Sequence, residues 1–535
     1  MAAPARLAPV DGLLPAALAL GLPLLAAMLL SFDSNWDLRN YHLYGPHALL
    51  SGRHAIDVAA AQLQSWHNPL LDLPLYALST SGLPMRLTTL WLVLPAALSL
   101  WSLLGLHGML QSPGAPAGAR ALRQVVLCLM VVSGAAFGST LGLSMNDGFV
   151  CAGILWSLRL AMDPERAARG ESRGWLLAGL VAGATAGLKL SAAFYCLALA
   201  LAALPGDGGR QRLSRLKALA AGGVVGFSLA YGFWGWRLAT EFGNPFFPYF
   251  NQVFQSPFAL PQSHADARFR PDGLLAALLA PLRLLADNQL FSELRLRDPR
   301  VLGAILGFAW LAWHADDDGS GRRVVLRRLL VFVLAGVATW LAQSGIYRYA
   351  IALEALGALA IVLALQRLPR ARSVLVLALV LVVGATRQPH WGRDASGASL
   401  VELQAPALGD GALVMTATGD PLAYLALGLD DAVPLLGLGN NLMQPDRCTK
   451  LQVRASSRLH RHRGPLWLLE DPSQDPAPGR ELLRLHYGLV PTGPCLDYSN
   501  PIGPARLCEL ERSAQARAPC LPEAPAKADA AAPGR

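Results

Sequence analysis

The stretch "LLAGLVAGATAGLKLSAAFYCLALAL" (176–201) is apolar throughout except for one charged side chain, Lys189. It forms the centre of an apolar run, 175–204, which is longer than the roughly 20 residues that cross a bilayer once. Basic segments, "RAARGESRGW" (166–175) and "RQRLSRLK" (210–217), flank the run, and cytoplasmic loops of membrane proteins are enriched in Lys and Arg. The run is therefore predicted to be a hairpin of two short helices with both ends cytoplasmic and Lys189 at the outer turn.

Further apolar runs lie on both sides of this hairpin. They cover 12–31, 89–108, 123–143, 148–162, 217–236, 301–314, 326–343, 347–366 and 373–387. Hydrophobic residues make up 53% of the 535 residues, and charged residues only 15%, against roughly 25% in soluble domains. The first run lacks the small-residue cleavage site of a signal peptide, so it is predicted to be a retained helix. The sequence thus predicts an all-α polytopic membrane protein with about eleven transmembrane helices.

The net charge of +9 does not indicate a nucleic-acid partner, because the Lys and Arg residues gather in short loops between apolar runs. The segments "GRRVVLRR" (321–328) and "RLPRAR" (367–372) are also predicted to be cytoplasmic. This count places the N-terminus in the cytoplasm and everything after about residue 387 outside. We expect a multi-pass protein of the bacterial inner (plasma) membrane.

The character of the sequence changes after Arg387, where short strand-like pieces such as "GALVMTAT" (411–418) and "GPLWLLE" (464–470) alternate with Gly, Pro and Asp. This pattern predicts a small α/β soluble domain on the periplasmic side. The predicted divisions are a transmembrane domain at 1–390 with outer loops 32–88 and 237–300, a soluble domain at 391–520 and a disordered tail at 521–535.

Four of the seven cysteines, Cys448, Cys495, Cys508 and Cys520, fall in the C-terminal part. Cysteines in a domain outside the cytoplasm indicate disulfides, and four cysteines allow three pairings. The sequence has no C-x-x-C, H-E-x-x-H or P-loop pattern, so it offers no motif for a metal or nucleotide site.

Polar and aromatic side chains crowd into the first outer loop, in "SFDSNWDLRNYHLYGPHALLSGR" (31–53) and "AQLQSWHNPLLDLPLYAL" (61–78). One interpretation is that they are ordinary interfacial residues. The alternative is a site, because a carboxylate beside Arg and His can accept a proton from a hydroxyl group. The candidates are Asp33 and Asp37 for catalysis, with Arg39, Tyr41, His42, His67 and Asn68 for substrate binding, and Asp72 nearby.

Asn146 and Asp147 interrupt the apolar sequence "LGLSMNDGFVCAGILW" (141–156) where the topology requires an outer turn. Asn and Asp followed by Gly are typical of a tight turn. They are equally suited to a second acidic site, with Asp147 as a catalytic carboxylate and Asn146 as a substrate contact. Both interpretations remain open.

Two cations are candidates for binding an anionic headgroup. Lys189 lies within an apolar run, where an isolated charge costs roughly 2.5–3.5 kcal/mol. Arg348 follows Tyr347 in "SGIYRYAIALEAL" (344–356), at the outer end of a helix that carries Glu354 further in. Either cation can also extend to the interface without a functional role. Lys189, Arg348 and Tyr347 are therefore the predicted phosphate-binding residues.

The acidic and aromatic first loop, the acidic second turn, "GLKLSAAF" and "YRYAIALE" together resemble the GT-C class of integral membrane glycosyltransferases. The stretches "WDLRNYHLYGPHALLSGR", "QLQSWHNPLLDLPLY", "GNPFFPYFNQVFQSP" and "YRYAIALEAL" resemble a bacterial branch of that class. The resemblance covers about residues 10 to 390 and depends mainly on the order and placement of the motifs.

This resemblance implies a polyprenyl-phosphate-linked sugar donor. The carboxylate that orients or activates the acceptor corresponds to Asp37 first and Asp33 second, and the acid of the second outer turn corresponds to Asp147. Members with adjacent acidic pairs differ from this sequence, where Asn146 precedes Asp147, so no obligatory metal and no cofactor are predicted.

The predicted function is therefore inverting glycosyl transfer in the cell envelope, from the lipid-linked donor to a lipid, glycan or protein acceptor. A transporter is the main alternative, although the sequence shows no two-half symmetry and concentrates its polar residues at one face. A non-catalytic, lipid-binding membrane protein is the other.

Overall fold

A computed structural model of the chain describes residues 13–111, 115–163, 172–206, 208–315, 321–393, 403, 406–498, 500, 502–514 and 517–521. The predicted disordered tail lies outside the described residues from 522 onward, and so does most of the basic segment 166–175.

The chain divides into two compact units. The first unit contains Met1–Asn35, Ala77–Gly235 and Ala265–Ala398, and the second contains Trp36–Tyr76, Trp236–His264 and Ser399–Arg535. Parts of both predicted outer loops thus belong to the same unit as the C-terminal region.

Helices dominate the structure. In chain order the α-helices are α1 (Leu13–Leu29), α2 (Tyr44–Leu50), α3 (Leu73–Thr80), α4 (Met85–Leu110), α5 (Ala117–Val132), α6 (Phe137–Thr140), α7 (Asp147–Ala161), α8 (Arg173–Leu188), α9 (Ala193–Ala202), α10 (Gly209–Phe242), α11 (Asn251–Phe254), α12 (Leu274–Arg283), α13 (Arg300–Trp313), α14 (Arg322–Gln343), α15 (Ile351–Leu365), α16 (Ala371–Gly384), α17 (Lys450–Arg461) and α18 (Ala477–Leu482).

Within the described ranges, four helical segments are long and apolar enough to cross a membrane. They are Met85–Leu110, Gly209–Phe242, Arg322–Gln343 and Tyr347–Leu365. Shorter apolar helices include Leu13–Leu29, Leu190–Ala202 and Arg300–Trp313. The apolar helices make this a membrane protein, while the number of about eleven crossings stays a prediction.

The apolar run 123–143, predicted as one crossing, is not a single helix. Helix α5 ends at Val132 and the chain then bends. Two buried carboxylates accept hydrogen bonds from successive backbone N–H groups after the bend, Asp298 at 2.8 Å and Glu354 at 2.7 and 2.9 Å. Those N–H groups are therefore unavailable for continuing the helix. We call residues 133–146 the second outer turn.

The predicted hairpin is present in the first unit. Helix α8 ends at Leu188, Lys189 has an extended backbone, and α9 follows after one 3₁₀ turn. The two far ends lie close together, because Arg328 stacks over the ring of Trp175 and donates a hydrogen bond to the Pro205 carbonyl. The break at Lys189 thus reverses the chain direction.

Helix α8 packs closely against α10 through glycines. A Cβ atom on Gly179 would lie 2.1 Å from the Leu219 carbonyl oxygen, and one on Gly183 would lie 2.1 Å from that of Gly223. Small residues at such positions let two membrane helices approach backbone to backbone. This contact fixes α8, and with it the position of Lys189.

The C-terminal part of the second unit contains a mixed β-sheet. Its strands are β1 (Leu413–Thr416), β2 (Leu435–Gly437), β3 (Leu466–Glu470), β4 (Leu489–Pro491), β5 (Leu496–Tyr498) and β6 (Ala505–Arg512). The order is β2-β1-β3-β6-β4, with β5 also paired to β6. Strands β1, β2 and β3 are parallel, whereas β6 is antiparallel to its neighbours. The small sheet with flanking helices confirms the α/β character predicted for this region.

The first outer loop completes one edge of this sheet. Val58 pairs in parallel with Leu436 of β2. Beside it, Asp57 accepts a hydrogen bond from the Leu435 N–H at 2.8 Å and pairs with the buried Arg53. A residue of the first loop and a strand of the C-terminal region therefore share one hydrogen-bonded ladder.

Two disulfides lie in the second unit, Cys448–Cys520 and Cys495–Cys508. The structure thus selects one of the three pairings that the sequence allows. The remaining cysteines, Cys128, Cys151 and Cys196, are free thiols in the helical unit.

Candidate functional site

Asp147, Lys189 and Arg348 come from three separate segments and meet within the first unit. The Lys189 ammonium donates to Asp147 Oδ1 at 2.5 Å and to the Met145 carbonyl at 2.6 Å. Arg348 Nη1 donates to Asp147 Oδ2 at 3.3 Å. One carboxylate therefore joins two cations, one on each oxygen. We call these three residues the cation pair site.

Local backbone structure explains why each residue points there. Asn146 adopts a left-handed conformation, with φ 63°, and Asp147 is the first residue of α7. Asn tolerates this conformation better than most residues, so the turn interpretation and the site interpretation both apply. Lys189 occupies the break of the hairpin, and Arg348 lies in the 3₁₀ turn Tyr347–Ala350 that leads into α15.

The two cations of the cation pair site remain partly accessible. The Asp147 side chain is 1% exposed, whereas Lys189 and Arg348 keep 16% and 14% of their side chains exposed. Asp147 contacts both cations, and Asp266 is a second carboxylate that interacts electrostatically with Arg348. The ring of Tyr349 lies 5.3 Å from Lys189 Nζ and 5.2 Å from Arg348 Cζ, which limits the directions in which both cations can move.

Asp33 supports this site from the start of the first outer loop. Its carboxylate accepts hydrogen bonds from the Ser144 N–H at 2.7 Å and from the Asn35 N–H and side-chain amide at 2.9 and 2.6 Å. Asn35 also donates to the Ser144 hydroxyl at 3.1 Å. Asp33 thus fixes the residues directly before Asp147, and this geometry gives it a positioning role.

Three buried residues, Asp298, Arg300 and Glu354, hold the second outer turn by hydrogen bonds. The sequence did not predict this role for them. Arg300 pairs with Asp298 at 2.7 Å and donates to the Met130 carbonyl and the Ser133 hydroxyl, each at 2.8 Å. Glu354 binds the next residues of the turn from α15. The sequence does mark Glu354 as unusual, because an acidic residue rarely lies inside an apolar run. It does not mark Asp298 or Arg300, because an Asp and an Arg before a membrane helix are common.

A cleft opens beside Asp147 in the first unit. It is lined by apolar side chains of α4, the second outer turn and α7, together with Asn146 and Asp147. Leu92, Phe137, Leu143 and Met145 are among these apolar residues. Of the three charged residues, Asp147 lines this cleft and thus borders its apolar surface.

The first-loop candidates form a separate cluster within the second unit. His42 Nδ1 lies 2.8 Å from Asp72 Oδ1, and both side chains are buried. The ring of Tyr41 lies between the two histidines, 4.1 Å from His42 and 4.9 Å from His67. His67 Nε2 lies 2.9 Å from the Tyr249 hydroxyl. The structure therefore brings Tyr41, His42 and His67 together, and their role in substrate binding stays a prediction.

The other candidates occupy different surroundings. Asp37 is buried directly before the π-helical turn Leu38–His42 of the second unit. Arg39 pairs with Asp471 at 3.4 Å, and Asn68 accepts a hydrogen bond from the Leu70 N–H in an exposed turn. Tyr347 lies in the helical core of the first unit, 1% exposed.

Among the residues that the structure describes, no three His, Cys, Asp or Glu side chains gather into a group that could hold a metal ion. Metal independence remains a prediction.

No protein-family model and no curated protein match the sequence. Solved structures that match include two cryo-EM structures of the arabinofuranosyltransferase AftD from Mycobacteria. A mutant form shares 15% identity with a TM-score of 0.48 over 92% of this chain and 41% of that chain. The other shares 14% identity with a TM-score of 0.37 over 92% of this chain and 39% of that chain. The chain thus spans about two fifths of the length of AftD, and at this level of similarity the chemistry rests on the geometry of the site alone.

Proposed function

We propose that the chain is an integral membrane glycosyltransferase of the GT-C type, which moves a sugar from a polyprenyl-phosphate donor to an acceptor at the outer face of the membrane. The observation that carries this proposal is the cation pair site. Asp147 lies 42 positions from Lys189 and 201 positions from Arg348, yet the three side chains meet, and Asp147 also lines an apolar cleft. A lipid phosphate carries the negative charge that the two cations bind, and its hydrocarbon part is compatible with apolar surface beside Asp147.

The two cations have a clear role in this reaction. When the bond between the anomeric carbon and the phosphate oxygen breaks, negative charge develops on the leaving phosphate. Lys189 and Arg348 stabilise that charge, and a guanidinium can bind two phosphate oxygens at once. Asp147 holds both cations in place. Because each of its oxygens already contacts a cation, we assign it to orienting them rather than to taking the acceptor proton.

For the acceptor step, Asp37 is the proposed base because of its place in the first outer loop. Its carboxylate takes the proton of the acceptor hydroxyl as the hydroxyl oxygen bonds to the anomeric carbon. Attack opposite the leaving phosphate inverts the anomeric configuration. The His42–Asp72 pair, Tyr41 and His67 supply hydrogen-bonding and aromatic surfaces for a sugar or another acceptor.

The decisive experiment measures how polyprenyl phosphate stabilises the purified full-length protein against heating. We expect Lys189→Met and Arg348→Met each to weaken binding by roughly 1.5–3 kcal/mol, as for hydrogen bonds to charged groups. If the guanidinium contacts two phosphate oxygens, Arg348→Lys should bind polyprenyl phosphate more tightly than Arg348→Met but less tightly than the wild type. Arg86→Met is the matched control, because Arg86 is an exposed cation of the first unit that donates to the Ala27 and Leu30 carbonyls. Equal stabilisation of all variants would rule out a phosphate contact.

A second assay separates an enzyme from a transporter or a passive lipid-binding protein. An enzyme releases polyprenyl phosphate from a polyprenyl-phosphate sugar in the presence of acceptor, which chromatography of the extracted lipid detects. A transporter or a binding protein leaves the donor uncleaved. Donor binding without cleavage, under all acceptors tested, would favour these alternatives.

A further inference from the structure

The second unit carries a basic segment that the proposed reaction does not use. Between Asp446 and Glu470 the sequence has six Lys or Arg residues and no acid. Four of the six lie in α17, at positions 450, 454, 458 and 461. Residues three or four positions apart lie on the same face of a helix, so these four form one stripe.

The opposite face of α17 is already covered. Leu451, Ala455 and Leu459 are 1%, 0% and 2% exposed. The helix therefore has no apolar face left with which to enter a bilayer. Any ligand of α17 must be recognised by its basic stripe, and such a ligand is anionic.

The first part of the stripe lies where a candidate membrane span ends. Arg454 pairs with Glu241 at 3.2 Å, near the end of α10. Lys450 and Arg454 both lie over the ring of Phe258, at 5.5 and 5.3 Å. Phe258 in turn packs edge-on against Phe242, the last residue of the span Gly209–Phe242. These contacts place Lys450 and Arg454 beside the C-terminal end of α10, which is a candidate membrane span.

Exposed apolar side chains follow the same exit. Phe250, Val253 and Phe254 are 51%, 69% and 40% exposed. Exposed aromatic residues together with Lys and Arg are typical of the membrane–water interface, where the rings lie among the headgroups and the cations bind anionic lipid.

From these contacts we infer that Lys450 and Arg454 bind the headgroups of anionic phospholipids in the bilayer that α10 crosses. Helix α17 thereby holds the second unit at the membrane surface. Glu241 pairs with Arg454, so the charge of Lys450 is not balanced by this acid. Because Lys450 and Arg454 lie at the end of a candidate membrane span, a lipid is a better ligand for them than a soluble polyanion such as an acidic glycan.

The test uses the full-length protein in nanodiscs of POPC alone or of POPC and POPG at 7:3. We expect POPG to raise the melting temperature of the wild type by about 3 °C or more at 50 mM NaCl. The double variant Lys450→Gln, Arg454→Gln should lose at least half of this shift. The matched control is Arg484→Gln, Arg506→Gln, which removes an exposed and a half-buried arginine of the same unit that pair with Glu481 and Asp497. It should keep the shift.

Two further measurements do not depend on the folding of the double variant. At 1 M NaCl the screening length is about 3 Å, so the POPG shift of the wild type should disappear. Dextran sulfate, a soluble polyanion, should not raise the melting temperature of the wild type in POPC nanodiscs as POPG does. The inference fails if POPG gives no shift, if the double variant shifts as much as wild type, if the shift survives 1 M NaCl, or if dextran sulfate reproduces it.

Discussion

Two of the candidate carboxylates, Asp33 and Asp147, have partners that indicate a structural role. Asp33 accepts hydrogen bonds from the Ser144 and Asn35 N–H groups and from the Asn35 side chain. Asp147 gives one oxygen to each of two cations. Both are therefore suited to fixing structure. Asp37, which precedes a π-helical turn beside the histidine cluster, remains the first choice for the base.

We expect Asp37→Asn to affect mainly sugar transfer and Asp33→Asn to affect mainly protein stability. Asp37→Asn should lower sugar transfer by roughly 10²–10⁴-fold, as for positioned acid–base groups, with little change in melting temperature. Asp33→Asn replaces an acceptor with an amide that cannot satisfy all three donors, and a buried unsatisfied donor costs about 1–3 kcal/mol. Activity and thermal unfolding of the purified variants give both readouts. Full activity of Asp37→Asn would remove the base assignment.

The second unit should lose stability on acidification partly through His47. Burial, and next the positive charge of Arg53, lower the pKa of His47 against a smaller opposing effect of Asp431. The unfolded state therefore binds a proton more readily, so stability falls as the pH drops below the ordinary histidine pKa of about 6.5. His47→Gln removes this titration. We expect the variant's melting temperature to fall less than the wild type's between pH 7.5 and 5.5, whereas parallel curves would contradict the assignment.

At this scale the sequence indicated Asp147, Lys189 and Arg348 for a physical reason, because charges that interrupt apolar sequence need partners or ligands. It offered no comparable signal for Asp298 and Arg300. The partners of Asp33 were also out of reach, because Ser144 lies 111 positions away and its backbone N–H has no side-chain signature.

The glycine contact between α8 and α10 is the element that fixes the hairpin. Gly183→Val would place a side chain where the Gly223 carbonyl lies 2.1 Å from the Cβ position, so the two backbones must separate. Overpacking of this kind typically costs about 1–3 kcal/mol. We expect a lower melting temperature and, because Lys189 directly follows the last residue of α8, weaker binding of polyprenyl phosphate.

A matched control for this variant lies on α10 itself. A Cβ atom on Gly232 would meet no neighbour within 4 Å, so Gly232→Ala should leave melting temperature and binding unchanged or slightly improved. If Gly183→Val behaved like Gly232→Ala, the close contact of the two helices would not support Lys189.

Charge placement predicted the hairpin, since basic residues flank both ends of an apolar run that is longer than one membrane crossing needs. Hydropathy failed for the run 123–143 because an apolar turn and an apolar helix have the same composition. Only the carboxylates of Asp298 and Glu354, which come from later segments, divert the backbone after Val132.

For the whole molecule, the oxidation state of the cysteines tests the predicted topology. Alkylation of the denatured, unreduced protein should modify three cysteines, Cys128, Cys151 and Cys196. Alkylation after reduction should modify all seven. Mass spectrometry of protein from the native membrane gives the count. Seven reactive thiols without reductant would mean that the C-terminal region resides in a reducing compartment.

The sequence predicted the helical class, the small C-terminal sheet and the presence of disulfides, because composition, hydropathy period and cysteine placement encode them directly. The sequence did not predict which cysteines pair, or that Val58 pairs with β2. Both depend on contacts between distant segments. Local patterns carry no information about such contacts.

The pairing of Val58 with β2 also has a consequence for biosynthesis. Asp57 accepts a hydrogen bond from the backbone N–H of Leu435, which lies 378 positions later in the chain. At about 5–20 residues per second, a ribosome needs roughly 20–75 s to synthesise that interval. The first outer loop therefore leaves the ribosome long before its partner strand exists, and a chain that terminates before β2 leaves the loop without the ladder that orders it.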